Sequence, residues 1–317
     1  MKNIQLVINF LYRNPRSQLR MYKRFGGYFN YRRMMNGRRK MEERSTELLP
    51  VASHPKGLPV YFLTGKKYLY QTLYCIQSLA RSSSTQFRFT LVDDGSFDEL
   101  LISRIKRQLP GARVITAEMI ATNLKNAFFE SEFPCLFNKR SVYPHIKKLT
   151  DVHTIPGDDW KLVLDSDMLF WQEPGQIISW LKHPQAPLHM IDCAEAYGYS
   201  RESMEQLAGS PVKPLLNVGA IGLKSESVDW KKLESWIALL EESEGTSYYL
   251  EQALSAMLIG DADSVSLKAF DYIVNPGKEQ IKLRTGILHH YVDLSKEGYF
   301  KYAWKNFYHR DDRTNSL

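Results

Sequence analysis

The stretch Lys161-Leu162-Val163-Leu164-Asp165-Ser166-Asp167-Met168-Leu169-Phe170 decides how this chain reads. Its first four residues have the character of a buried strand, and the strand ends in two carboxylates one residue apart. Burying charge without a partner costs several kcal/mol, as an order of magnitude. The pair is therefore expected where a strand emerges into a cleft and a cation can meet it. Oxygen ligands at this spacing suit a hard divalent ion, Mn²⁺ or Mg²⁺, shared with the phosphates of a substrate.

The surroundings of that strand predict its sheet. Pro50, Pro55, Gly57 and Pro59 mark a boundary, after which the globular part begins. Val60–Thr64 reads as a strand, and Leu69, Leu73, Ile76 and Leu79 space a helix over Tyr68–Ala80. Phe87–Val92 is a second strand, running into Asp93-Asp94-Gly95-Ser96, and Ser96 with Glu99 predicts a capping box for the next helix. Arg113–Ala117 is a third strand. Strand and helix in alternation predict a mainly parallel sheet flanked by helices, with ligands beyond the carboxyl ends of the strands. Thr64, Asp93, Asp94, Asp165 and Asp167 all fall at such ends. Further on, Pro187–Asp192, Leu215–Leu223, Val265–Tyr272 and Gly286–Val292 read as strands. Asp229–Leu240, Ser247–Leu258 and Ser295–Tyr308 read as helices.

The chain has 317 residues, of which 44% are hydrophobic and 24% charged, a globular composition with room for one large domain or two ordinary ones. No apolar run approaches the roughly 20 residues that cross a bilayer. Leu6–Tyr12 is apolar but short, without a small-residue cleavage site after it, and is not read as a signal peptide. Cys75, Cys135 and Cys193 form no CxxC pair, which fits a reduced, cytosolic setting. Charge is uneven: residues 1–50 hold twelve Lys/Arg against three Glu, while the whole chain nets +7. This basic arm, residues 1–55, is expected to be helical or partly disordered, ahead of a domain over 56–317. It reads either as a solvated tail or as a peripheral contact with an anionic membrane. It has no zinc spacing or RNP-like aromatics, so no nucleic-acid partner is expected.

Taken in order, the motifs resemble nucleotide-sugar glycosyltransferases of the GT-A fold, over roughly residues 59–305. LVDDGSFDE at Leu91–Glu99 resembles the DDGS segment of family 2. LVLDSDMLFWQEP at Leu162–Pro174 resembles the metal motif of family 8, and ILHHYVDLSKEGYFKYAW at Ile287–Trp304 its C-terminal histidine segment. NVGAIGL at Asn217–Leu223 and LEQALSAM at Leu250–Met257 fall in the order such enzymes show.

The resemblance implies an α/β fold of GT-A type, Rossmann-like, and transfer of a sugar from a nucleotide-sugar donor, a UDP-sugar, to a glycan or lipid-linked acceptor. It implies Asp165 at the ribose or the metal, Asp167 as a metal ligand, and one histidine completing the site, with manganese slightly favoured over magnesium. His290, followed by Tyr291, matches the pattern better than His289, and alternation along a strand lets only one face the cleft. Asp93 or Asp94 is placed at the base or ribose, and Thr64 beside the nucleotide. Asp93-Asp94 also reads as an ordinary turn. Asn217 and Gly219 are candidates for the sugar pocket or for a polar turn. Glu251 and Gln252 would lie under the sugar. An inverting enzyme would use Glu251 as general base, and a retaining one would use these groups to stabilise an oxocarbenium-like state. Lys296 and Lys301 could approach the diphosphate, and Lys139 and Arg140 could meet phosphate but read first as a solvated face. Two other readings stay open: a haloacid dehalogenase-like phosphatase, which also uses a strand followed by DxD, and a non-catalytic glycan-binding module. The setting read from the cysteines and the basic arm is cytoplasmic, either free or peripheral at the inner face of a membrane, and the resemblance implies a place in polysaccharide biosynthesis.

Overall fold

The computed structural model describes residues 14–127 and 130–308; Leu6–Tyr12 lies outside them. Among the described residues two helices come first, α1 (Asn14–Arg24) and α2 (Tyr28–Arg44). The turn between them uses Gly26 and Gly27 at φ 71° and 103°, a region that only glycine enters without strain. The exposed positions of α2 are mostly charged, with Tyr28, Phe29 and Asn36 among them, while Met34 and Met41 are buried.

The predicted alternation follows: β1 (Leu58–Thr64), α3 (Leu69–Ser82), β2 (Phe87–Asp93), α4 (Glu99–Gln108) and β3 (Arg113–Ile115). Helix α4 is capped by Asp98, whose carboxylate accepts from Leu101 N at 2.8 Å, and not by Ser96. The Ser96 hydroxyl is already committed to Asp94 and to Lys66 N. Ala117 opens a helix and does not end a strand. Helices α5 (Ala117–Ala127), α6 (Pro134–Val142) and α7 (Lys147–His153) fill a region with little sequence signal.

Then come β4 (Trp160–Leu164), β5 (Met168–Phe170), α8 (Gly175–Lys182), β6 (Leu188–Ile191), α9 (Arg201–Ala208) and β7 (Leu216–Lys224). The remaining elements are α10 (Trp230–Glu244), α11 (Leu250–Ile259), β8 (Val265–Ser266), β9 (Tyr272–Val274), α12 (Lys278–Leu283), β10 (Leu288–His290) and α13 (Lys296–Lys301). The strand expected over Val265–Tyr272 is two strands in different sheets. A turn closed by Asp271 N and Tyr272 N on Lys268 O separates them. The last expected helix is α13 followed by a 3₁₀ run, Ala303–Phe307.

Among the described residues seven strands form one sheet in the order β3-β2-β1-β4-β7-β6-β8, and only β7 runs against the others. Strands β5-β10-β9 form a second, small sheet. Both faces of the large sheet are covered. Val60, Phe62, Leu162 and Leu164 enter one core, while Tyr61 and Val163 enter the other. A strand buried on both faces has no polar alternation, which is why Leu162-Val163-Leu164 is continuously apolar. Because β1, β2 and β4 are parallel, Thr64, Asp93 and Asp165 arrive at one edge, with Thr64 and Asp93 in register.

Candidate active site

Asp165 leaves β4 with its N–H donating to Gly219 O at 2.7 Å, the last link of the β4–β7 pairing. Two residues on, Asp167 O accepts from Tyr291 N at 2.8 Å, which ties the loop to the end of β10. Ser166, between the two acids, shares a hydrogen bond with the Thr72 hydroxyl at 2.8 Å, and Thr72 shares one with Thr64 at 2.7 Å. Thr64 thus fixes the acidic loop through α3. The three side chains form a short chain inside the protein.

β10 resolves the two histidines. Its residues pair with β5 and β9, and side chains alternate across it. His289 turns inward: its Nε2 meets Thr285 O at 2.6 Å, its Nδ1 meets the Tyr291 hydroxyl at 3.2 Å, and burial lowers its pKa to about 4. His290 turns the other way, with Nε2 at 3.3 Å from Asp167 Oδ1 and 3.5 Å from Asp165 Oδ2. Asp165, Asp167 and His290 offer ligand atoms within 4.8 Å of one another. Both ring nitrogens of His290 are buried with no hydrogen-bond partner. Space for that ring depends on Gly219, where a Cβ would stand 2.4 Å from His290 Cε1 and Nδ1. Two carboxylates and a buried, unpaired imidazole form a donor set that fits Mn²⁺ or Mg²⁺, with nitrogen favouring the former.

Two lysines flank the acids. Lys296, at the start of α13, holds its ammonium 3.5 Å from Asp167 Oδ2. Burial raises the Asp167 pKa, but His290 and Lys296 outweigh it and hold this carboxyl well below its usual range. Lys148 on α7 is buried, with its ammonium 2.6 Å from Asp165 Oδ1 and 3.7 Å from Glu251 Oε2. Burial alone would lower its pKa; Asp165 and Glu251 reverse that and raise it. Glu251 opens α11, and its Oε1 is buried without a partner. Burial pushes its pKa up to about 7, since Lys148 lies closer to Asp165 and compensates Glu251 only weakly.

Asn217 and Gln252 are brought together by a residue the sequence did not single out. Asp192 Oδ2 accepts from Asn217 Nδ2 at 2.8 Å and from Gln252 Nε2 at 3.3 Å. Asn217 Oδ1 also accepts from Gly219 N at 2.9 Å, so Asn217 holds the backbone that makes room for His290.

At the end of β2 both acids brace the turn, Asp94 by accepting from Ser96 N at 3.0 Å and from the Ser96 hydroxyl, and they differ in exposure. Asp93 Oδ1 accepts from the N–H groups of Gly95, Ser96 and Phe97 at 2.7, 2.8 and 3.0 Å, and this carboxylate builds the turn. Asp94 is partly exposed and faces Gly65, where a Cβ would fall 2.1 Å from its oxygens. The other basic candidates go elsewhere. Lys301 pairs with Glu297 at 2.8 Å and faces α2 through Asn30. Lys139 and Arg140, expected on a solvated face, are paired with Glu241 and with Asp151.

Lys148 and Asp192 carried no usable sequence signal. Lys148 follows another lysine in a short helix, and only packing distinguishes the buried one from Lys147, which donates to Asp94 O.

The fold is similar to that of the galactosyltransferase LgtC, solved in complex with donor and acceptor sugar analogues. The likeness covers 79% of this chain and 95% of that one, at 16% identity and a TM-score of 0.53. Mouse xyloside xylosyltransferase 1 is a looser match, covering 76% of this chain and 98% of that one, at 13% identity and a TM-score of 0.48. No family model and no curated protein matches the sequence. The likeness is one of fold: the chain has the mixed, mainly parallel sheet of GT-A-type glycosyltransferases.

Proposed function

We propose that this protein is a metal-dependent glycosyltransferase that moves a sugar from a nucleotide-sugar, a UDP-sugar, to a glycan or lipid-linked acceptor in polysaccharide biosynthesis. The observation that carries the reading is the Asp165–Asp167–His290 group, a buried imidazole whose Nε2 faces both carboxylates and whose Nδ1 has no partner, at the strand ends of a GT-A-type sheet.

These three residues would hold Mn²⁺ or Mg²⁺. When bound, the ion supplies Lewis-acid neutralisation of the charge that grows on a departing diphosphate. The protein's own groups do the rest. Lys296 is 42% exposed beside Asp167 and would offer its ammonium to a phosphate oxygen as a point charge. Lys148 holds Asp165 in place and keeps Glu251 within its field. Asp94 would meet the base or ribose, and Thr64, which braces the Asp165–Asp167 loop through Thr72 and Ser166, would lie beside the nucleotide. Asp192 locks Asn217 and Gln252 side by side, a polar wall suited to sugar hydroxyls. Glu251, desolvated and poised near neutrality, has the pKa of a general base toward an acceptor hydroxyl in an inverting reaction. In a retaining reaction the same carboxylate and Gln252 would stabilise positive charge at the anomeric carbon. The setting that goes with such an acceptor is cytoplasmic, with a peripheral contact to an anionic membrane.

The test is calorimetric titration of nucleotide sugars with Mn²⁺ present, followed by transfer assays on the donor that binds. Asp167→Asn should abolish metal-dependent binding while the thermal transition is kept. Metal-dependent turnover by that variant at the wild-type rate would refute the assignment. Release of phosphate from sugar phosphates, without use of any nucleotide sugar, would favour the phosphatase reading instead.

A further inference from the structure

We propose that the outer face of α2, with the turn joining it to α1, is the surface that docks this protein on an anionic lipid membrane. The proposal rests on the peripheral contact put forward above and assigns it to particular residues.

Residues 14–44 hold ten Lys/Arg against two Glu. Helical spacing gathers Phe29, Arg32, Arg33, Asn36, Arg39 and Lys40 on one face of α2, all of them exposed. Phe29 is 78% exposed and Tyr28 43%, at the end of the helix next to the turn, and Leu19 on α1 is 56% exposed. Large apolar groups among cations are what an interfacial helix presents: the rings enter the headgroup region and the cations meet lipid phosphates. Arg32 lies 5.7 Å from the centre of the Tyr28 ring and donates to its hydroxyl at 2.9 Å, which joins the aromatic and cationic parts of the face. The groove between α1 and α2 is lined by Tyr22, Tyr28, Arg32 and Arg39, a lining that suits a phosphate headgroup.

The opposite face of α2 is used for attachment to the domain. Gly37 sits against the backbone of α13, where a Cβ would fall 2.1 Å from Phe300 O. Asn30 donates to Glu297 at 2.8 Å, Arg38 donates to the Tyr70 hydroxyl at 2.9 Å, and Arg24 pairs with Asp293. The hairpin is therefore part of the domain's packing, and only its cationic face is left outward. Nucleic acid would use the same charges but gives no reason for exposing Phe29 and Leu19.

The test is co-sedimentation of the full chain with vesicles of phosphatidylcholine alone and with added phosphatidylglycerol. Each basic residue near an anionic surface contributes about fivefold to partitioning. The variant Arg32→Gln/Arg33→Gln/Arg39→Gln/Lys40→Gln should lose at least tenfold in binding to the anionic vesicles, with its thermal transition kept. Phe29→Ser should weaken the binding that survives high salt. Failure of the wild-type chain to bind anionic vesicles would overturn the membrane contact itself. Equal binding by wild type and the four-site variant would leave the contact standing and overturn this surface. Retention on a nucleic-acid duplex without retention on vesicles would overturn both. As an independent readout, Phe29→Trp should gain emission quenched by brominated lipid; no gain over wild type counts against the proposal.

Discussion

Two adjacent histidines have opposite chemistry because a strand turns successive side chains to opposite faces. His289 spends both ring nitrogens on the protein, while His290 keeps both unpaired beside two carboxylates. Replacement of each should therefore give different losses. His289→Ala should destabilise the fold by about 2–3 kcal/mol, through lost hydrogen bonds and packing, with metal affinity little changed. His290→Ala should leave thermal stability near wild type and lower Mn²⁺ affinity at least tenfold by calorimetry. Gly219→Ala should act on the same property at one remove: the methyl group forces the His290 ring aside, so Mn²⁺ affinity falls although no ligand is removed. Glu251 sets a pH dependence. Its folded-state pKa of about 7 lies above its ordinary 4.5, so its contribution to stability is fully present below pH 4.5 and lost as pH rises through 7. In metal-free buffer the melting temperature of the wild type should fall from pH 5 to pH 8 by more than that of Glu251→Gln. Parallel curves would show that the carboxyl does not titrate there.

Elements place these residues by how their ends meet. The loop from β4 to β5 is held at three points: Asp165 N on Gly219 O, Ser166 on Thr72, and Asp167 O on Tyr291 N. Each partner comes from a different element, so the acids are fixed by β7, α3 and β10 together. Helix α13 does similar work on the other side, presenting Lys296 to Asp167 while its far end packs on α2. That packing has no room for a side chain at position 37. Gly37→Val should separate α2 from α13, lower stability by about 1–3 kcal/mol, and open the Gly26-Gly27 turn to limited proteolysis. A variant as resistant to protease as the wild type would show that the hairpin is held by its polar contacts alone.

At the scale of the whole molecule, the candidate metal site joins the two sheets. Asp165 follows a strand of the large sheet, and His290 belongs to the small one. An ion held by both should act as a cross-link of the folded state. Mn²⁺ at about a hundred times its dissociation constant should add about 2.7 kcal/mol of stability, seen as a rise in melting temperature that EDTA reverses. The rise should be absent in Asp167→Asn; if that variant gains as much, the ion binds elsewhere.

Much of this was legible in the chain. The apolar Leu162-Val163-Leu164 run, the alternating strands and helices from Val60 on, and the acids at strand ends depend on local chemistry, which a linear pattern records. Val265–Tyr272 was misread because an apolar run does not show that a turn at Lys268–Asp271 sends its halves to different sheets. Ser96 was misread as a cap because Asp98, two residues on, had the better geometry.

The sequence by itself determined the parallel sheet, the edge at which its acids gather, and the basic character of residues 14–44. Those follow from burial period, charge and turn chemistry, which are properties of neighbouring residues. Only the tertiary structure decided that Lys148 is the buried partner of Asp165, that Asp192 joins Asn217 to Gln252, and that Asp93 is buried in its turn while Asp94 stays partly exposed against Gly65. Such choices rest on contacts between residues far apart in the chain, where desolvation and hydrogen-bond geometry act across elements and leave no periodic trace.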